Sequence, residues 1–205
     1  MENLPCTDAT VKTELDPILE AALAYAGAGL SCIPDRQDTK APAVPWKEFE
    51  TKQAHVWQLH NWYPRYRLGI VCGYAGVEML DFDLAGCAFE PWRAAVDPGL
   101  FAKLVIETTP KGGRHVSYRC VETAIPGNTK LAQRQIGVDD KGNPDVKVLI
   151  ETRGKGGQFL CAPNAGYVLI QGTYTDLPVL TAAERLSLIS AALALAAIFP
   201  CPRKR

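Results

Sequence analysis

Glycine and proline punctuate the middle of this chain so densely that its apolar runs are cut into short segments. Between residues 30 and 163 the apolar-rich segments LSCIP, LGIVCG, VEMLDFD, VIETT, RHVSYRC, VKVLIETR and QFLCAP are five to eight residues each and run into turns or loops rich in Gly or Pro. Segments of that length, bounded in that way, read as strands. Residues 68–73 and 77–83 are two strand candidates joined by a Gly-containing turn. VIETT and RHVSYRC form a strand, turn and strand about Pro110-Lys-Gly-Gly113. VKVLIETR and QFLCAP form a further hairpin through Gly154 to Gly157. Helices are expected at the flanks and between strands. Asp16-Pro17 caps ILEAALAYAGA, which stops at Gly29. A second helix is expected over residues 47–63, ended by Pro64. A third covers 88–104, interrupted at Pro98-Gly99, and the capping box Thr181–Glu184 opens a last one running to Phe199. The polar, turn-rich stretch 122–146 reads as a long excursion or a short helix. Hairpins mixed with helices predict an α+β domain with a mostly antiparallel sheet.

The chain has 205 residues, 47% of them hydrophobic, enough for one domain with a sizeable core. Lys and Arg number 22 against 22 Asp and Glu, so the formal net charge is zero. That balance excludes a globally basic nucleic-acid coat but leaves room for a local basic cleft. No run of about 18 apolar residues offers a membrane span, and the acidic start MENLPCTDATVKTELD is not a secretory signal. The seven cysteines show no C-x-x-C spacing, and there are only three histidines, so a structural zinc site is not expected. The expected setting is a reducing one, the cytoplasm, with cysteines acting as small apolar residues. Trp57, Trp62 and Tyr63 are read as packing residues, and Lys40 and Trp46 as structural residues away from the chemistry.

Three constellations carry chemistry. In VEMLDFD the period-two geometry of a strand puts Asp81 and Asp83 on one face and Leu80 and Phe82 on the other. Two carboxylates on one face repel unless they share a cation or one takes a proton. An oxygen-only set suits magnesium or manganese rather than zinc. In the strand after Gly112-Gly113, His115, Ser117 and Arg119 share one face, and Val116, Tyr118 and Cys120 the other. This suits a sheet with its core on one side and a ligand cleft on the other. Lys111 and Arg114 add positive charge beside glycines that let a polyanion approach the backbone. In VLIETRGKGG, Glu151 and Arg153 alternate onto one face ahead of a Gly-rich turn that is neither a P-loop nor a dinucleotide fingerprint. Each pattern alone also fits an ordinary solvated strand end. Together they supply three acids for one or two cations and a histidine with basic groups for phosphate, the equipment of metal-assisted phosphoryl or nucleotidyl transfer.

The order and context of ALAYAGAGLSCIPD, KAPAVPWKEFET, LGIVCGYAGVEMLDFD, ETTPKGGRHVSYR and VLIETRGKGGQFLCAPNAGY resemble the archaeo-eukaryotic primase superfamily, in particular the bifunctional primase–polymerase (prim-pol) domains of plasmids, phages and mobile elements. In this resemblance Asp81 and Asp83 match the first motif, His115 the second and Glu151 the third, where aspartate is more usual. Gly113 stands where many relatives have serine. The resemblance implies two lobes, an N-terminal α/β unit and an RRM-like, mostly antiparallel catalytic sheet, with the site between them. It divides the chain into a leader at 1–15, a catalytic domain at 16–180, and a C-terminal helix and basic tail at 181–205 that would link to a helicase domain, a frequent fusion partner. The implied activity is that of a DNA primase and DNA polymerase. Asp81, Asp83 and Glu151 would hold two divalent cations, Mg²⁺ or Mn²⁺. His115, Lys111, Arg114 and Arg153 would contact the triphosphate of a dNTP or NTP on a single-stranded DNA template and primer. The alternatives are a metal-dependent nuclease and a catalytically inactive nucleic-acid-binding module of a replication initiator; triphosphate binding separates the first reading from both.

Overall fold

A computed structural model describes residues 15–198. Most of the expected leader (residues 1–14), Phe199, the basic end Arg203-Lys204-Arg205, and Cys6 and Cys201 lie outside that range. Among the described residues the architecture is mixed α+β: five α-helices, a three-stranded sheet and a seven-stranded sheet. No helix among them is long and apolar enough to cross a membrane.

Helix α1 (Pro17–Gly27) begins as its residues dictate, with Asp16 Oδ1 accepting from Ile18 N at 2.8 Å. It ends where Gly29 takes a φ of 79° and Leu30 N returns to Tyr25 O. Strand β1 (Cys32–Asp35), β2 (Arg67–Val71) and β8 (Gln158–Leu160) make the smaller sheet, order β1-β2-β8, all antiparallel. Pro34 is tolerated because β1 is an edge. Strands β3 (Val77–Phe82), β4 (Val105–Thr108), β5 (Arg114–Cys120), β6 (Thr129–Val138), β7 (Pro144–Arg153) and β9 (Val168–Gln171) form the larger sheet, order β6-β7-β3-β5-β4-β9. Its neighbours are antiparallel except for β10 (Val179–Leu180), which pairs parallel to β5. Helix α2 (Val56–Trp62) follows β1, while α3 (Phe89–Ala95) and α4 (Pro98–Lys103) break at Pro98, where Asp97 caps the second. The hairpin β4–β5 and the capping box of α5 (Ala182–Ile198), with Thr181 and Glu184 reciprocally bonded, match the sequence reading.

The large sheet is covered on both faces. On one, Leu80, Phe82, Val116 and Ile150 pack against Trp92 of α3 and Leu188 and Ala192 of α5. On the other, Val77, Met79 and Val105 pack against Leu68 and Ile70 of the small sheet, Phe159, Tyr174 and α1. The polar face expected on β5 is therefore only partly a cleft. Ser117 is sealed beside Tyr174, and Arg119 donates to the backbone oxygens of Ala28 and Ala75.

Three sequence expectations change. Residues 47–63 are not one helix: a short 3₁₀ turn (Lys47–Glu50) is separated from α2, because the Ser31 hydroxyl donates to Phe49 O and Lys52 O, and Gln53 turns away to donate to Ala26 O and Leu30 O. The stretch 122–146 contains β6 and the turn into β7, a long hairpin whose outer part is solvent-facing and so polar in sequence. VKVLIETR and QFLCAP are not partners: β7 lies in the large sheet and β8 in the small one. The crossing is tight, and a side chain at Gly154 would run into Pro126 O. Strands β2 and β3, though consecutive, also belong to different sheets. Strands β9 and β10 go beyond the sequence reading.

Candidate active site

Antiparallel register assembles the site. Asp81 in β3 stands directly opposite His115 in β5 on one side and Glu151 in β7 on the other; His115 in turn faces Glu107 in β4, and Glu151 faces Lys130 in β6. Direct cross-strand partners share a face, so five ionisable residues lie in one row across five strands. Burial changes along it. Glu107 is 0% exposed, His115 3% and Asp81 7%, whereas Glu151 is half-buried and Lys130 open. The row thus has a sealed end and a wet end.

At the sealed end His115 Nδ1 lies 2.7 Å from Glu107 Oε1, and Glu107 Oε2 accepts from Ala162 N at 2.8 Å. A carboxylate there accepts a hydrogen bond from Nδ1–H, which leaves Nε2 as the ring atom directed at Asp81, 3.7 Å from its Oδ1. At the wet end one nitrogen of Arg153, Nη2, bridges Asp81 Oδ2 at 3.3 Å and Glu151 Oε1 at 2.5 Å. Asp83 sits just past the strand and is exposed. Its backbone N–H donates to Leu149 O, and the chain then enters a left-handed turn in which Leu84, Ala85 and Gly86 have φ of 50°, 54° and 68°. Two non-glycine residues in that region mark strain at the point where Asp83 is aimed.

Asp81, Asp83 and Glu151 each place a carboxylate oxygen within 4.8 Å of the others, a group that could hold a metal ion. Crowding out of water raises the Asp83 carboxyl above its usual range, Asp81 adds to this, and Lys40, Arg153 and His115 oppose it. For Glu151, partial burial raises and Arg153 lowers, while Asp81 and Asp83 raise further. An oxygen-only cluster whose members resist ionising together fits a hard divalent cation.

Two hollows flank the acids. A cavity of about 140 Å³ is lined by Lys40, Asp81, His115, Arg153 and Gln158. A larger one of about 490 Å³ is lined by Asp83, Thr109, Lys111, Gly113 and Lys147. The structure thus brings Asp81, Asp83, Glu151, His115 and Arg153 together and places Lys111 by the second hollow. Arg114 stands apart, because strand alternation turns it to the other face. Its Nη1 donates to Gly112 O and Gly113 O, and its guanidinium lies 5.7 Å from the centre of the Phe89 ring. Gly113 has no room for a side chain, whose first carbon would sit 2.6 Å from Phe82 O.

Two residues were not legible as site residues. Lys40, read as a structural loop residue, lines the smaller cavity. Glu107 resembles any strand glutamate, although folding VIETTPKGGRH symmetrically about Lys111 would have set it opposite His115. Among the aromatics, Tyr63 is buried, with its hydroxyl donating to Ile33 O, and Trp62 packs edge-on to Phe49. Trp57, read as packing, is 63% exposed.

No curated protein matches the chain. A family model described as bifunctional DNA primase/polymerase, N-terminal, matches residues 22–182, a span that takes in both sheets, the three acids and His115. By that match the chain belongs to the Prim-Pol family.

Proposed function

We propose that this protein is a template-directed nucleotidyltransferase, a DNA primase and DNA polymerase, of the archaeo-eukaryotic primase type found in mobile elements. The observation that carries the reading is the adjacency of three carboxylates within 4.8 Å to a cavity whose walls include Lys40, His115 and Arg153. A nuclease needs the acids; it does not need a cationic pocket beside them for a triphosphate. In this reading the two sheets correspond to the two lobes of the fold, the larger being the RRM-like one, with residues 16–180 as the catalytic domain and 181–205 leading toward a helicase domain. The setting is cytoplasmic.

Asp81, Asp83 and Glu151 would hold two divalent cations, Mg²⁺ or Mn²⁺, which when bound lower the pKa of the attacking hydroxyl and neutralise the leaving pyrophosphate. The remaining work falls to the chain. Arg153 holds Asp81 and Glu151 at a fixed separation and keeps donors free toward the cavity. His115, held in place by Glu107, directs Nε2 at the cavity, where the N–H of an imidazolium would donate to a phosphate oxygen. Lys40 contributes a point charge on the same polyanion, and Lys111 a second one from the larger hollow. Arg114, expected among the phosphate ligands, instead stiffens the turn that carries Lys111. Backbone glycines at 112 and 113 leave the approach open.

Primer synthesis and primer extension on single-stranded DNA, with dNTPs or NTPs and with Mg²⁺ or Mn²⁺, test the assignment. Products that depend on template, triphosphate and metal are expected. Metal-dependent DNA degradation without synthesis would select the nuclease reading, and DNA binding with neither activity the inactive module.

A further inference from the structure

The small sheet holds a carboxylic acid that the chemistry above does not use. Asp35, the last residue of β1, is 0% exposed, and neither of its carboxylate oxygens has a hydrogen-bond partner. The side-chain oxygen of Gln158, at the start of β8, is also buried without a donor. Both groups flank Gly69 of β2: a side chain's first carbon there would run into Asp35 Oδ2 and lie 3.1 Å from Gln158 Oε1. Two bare acceptors facing each other in a dry place are costly. A proton between them removes the cost, the acid donating and the amide oxygen accepting.

The rest of the Gln158 amide says what such a proton holds. Its Nε2 donates to the backbone oxygen of Lys40 at 2.7 Å. Turning the amide over would set its oxygen against the Lys40 carbonyl, so the orientation follows from that bond. The loop bearing Lys40 is otherwise fixed at its base, by Arg36 N to Ala41 O, Ala43 N to Pro34 O and a bridge between Asp35 and Pro42, and by one exposed contact, Gln37 Nε2 to Arg65 O at 3.2 Å. Lys40 itself lines the cavity with Asp81, His115 and Arg153.

We propose that Asp35 is a positioning residue: in its protonated form it orients Gln158, and through Gln158 it latches the Lys40 loop over the cavity. The latch is released when Asp35 ionises. The surroundings favour the neutral acid. Arg67, its cross-strand partner, lies by the Tyr167 ring at 5.9 Å and is the one group that favours the charge. Tyr63 and Cys161, the other titratable groups that sense Asp35, are themselves held neutral by burial. Burial pushes the Asp35 carboxyl up to about 7 against the pull of Arg67. Gly69 is the element that permits the contact, since a side chain there would displace both groups. The consequence for nucleotide affinity rests on the role given to Lys40 above.

Hydrogen exchange at the Arg36 and Ala43 amides, corrected for intrinsic pH dependence and read from pH 5.5 to 8.5, tests the latch directly. In the unaltered protein, protection is expected to fall about tenfold as the pH passes through 7, the worth of a lost buried hydrogen bond. Asp35→Asn, which keeps a donor and cannot ionise, is expected to hold its protection across the range. Asp35→Ala, or Gln158→Met should the first fail to fold, is expected to lack it throughout. Protection independent of pH in the unaltered protein, or Asp35→Asn behaving like Asp35→Ala, overturns the proposal. Titration with a non-hydrolysable triphosphate separates the two readings. Lost protection with unchanged affinity leaves the latch standing and removes Lys40 from the nucleotide site.

Discussion

Strand β3 carries two buried acids three residues apart, Glu78 and Asp81, and they have opposite fates. Glu78 is fully buried and fully satisfied. Arg185 of α5 reaches it with Nε at 2.6 Å and Nη2 at 2.8 Å, and Tyr118 donates its hydroxyl at 2.7 Å. Asp81, on the opposite face, has only long contacts, 3.3 Å to Arg153 and 3.7 Å to His115, and two further carboxylates beside it. The first is a closed shell whose charge is spent on fastening a helix. The second is an open shell whose charge is left over, the condition a cation or a phosphate-bearing ligand completes. Burial alone therefore does not separate a structural acid from a reactive one; the completeness of its partners does.

The sharpest way to break the contrast is to neutralise the open shell. Asp81→Asn combined with Asp83→Asn keeps the shape and removes the charge that would hold the cations, worth several kcal/mol of barrier. Primer extension should fall by about a thousandfold or more, while the metal-free thermal midpoint stays level or rises because repulsion is relieved. Extension near the unaltered rate would remove the acids from the chemistry.

Breaking the closed shell should do the reverse. Arg185→Ala strands the Glu78 carboxylate in the core and is expected to cost about 3–5 kcal/mol, seen in denaturant unfolding, with activity per folded molecule retained. Replacing both Glu78 and Arg185 by leucine should recover much of that loss. A single Arg185→Ala chain as stable as its parent would contradict the comparison.

His115 tests the junction between the sealed and wet ends of the row. A charge-assisted hydrogen bond is worth about 1.5–3 kcal/mol, so His115→Ala should weaken triphosphate binding about tenfold to a hundredfold in calorimetry, with affinity for template DNA within about twofold. A purely structural histidine would instead lower the thermal midpoint and leave nucleotide affinity alone.

The smallest effect is a pH slope. Asp83 and Glu151 are both raised, first by partial burial and then by neighbouring carboxylates, Arg153 working against this at both and Lys40 at Asp83. A carboxyl raised in the folded chain keeps its proton where the unfolded chain has lost it. Their contribution to stability is thus whole below about pH 4 and is lost as the pH climbs through the raised values. Mg²⁺ or Mn²⁺ needs them ionised, so the thermal shift on adding metal should grow with pH over the same window. A metal-induced shift that shrinks as the pH rises would count against the cluster as a cation site.

The acids, His115 and the β4–β5 hairpin were legible in the order of residues because each rests on local rules. Period-two alternation chooses a face, Gly-Gly forces a turn, and Asp-Pro or Thr-x-x-Glu starts a helix. Those rules act over a few residues, and nothing distant contradicts them here. Helix 47–63 failed for the opposite reason: its carbonyls were claimed by Ser31, 18 and 21 residues away, which no local pattern announces. Strand β6 was hidden because an arm standing in solvent needs no apolar alternation.

The same division runs through the site. Residue type and spacing were enough to pick out Asp81, Asp83, Glu151 and His115 as candidate ligands, with Asp83 falling one residue past its strand. Register across five strands then placed Glu107 behind His115 and left Glu151 at the wet end. Packing of the small sheet brought Lys40 to the cavity beside Asp81 and His115, whereas alternation along β5 is what turns Arg114 to the other face. A strand's two faces are set by bond geometry within a few residues. Which strands lie side by side is settled by the burial of whole faces, and that sum is taken over the entire chain.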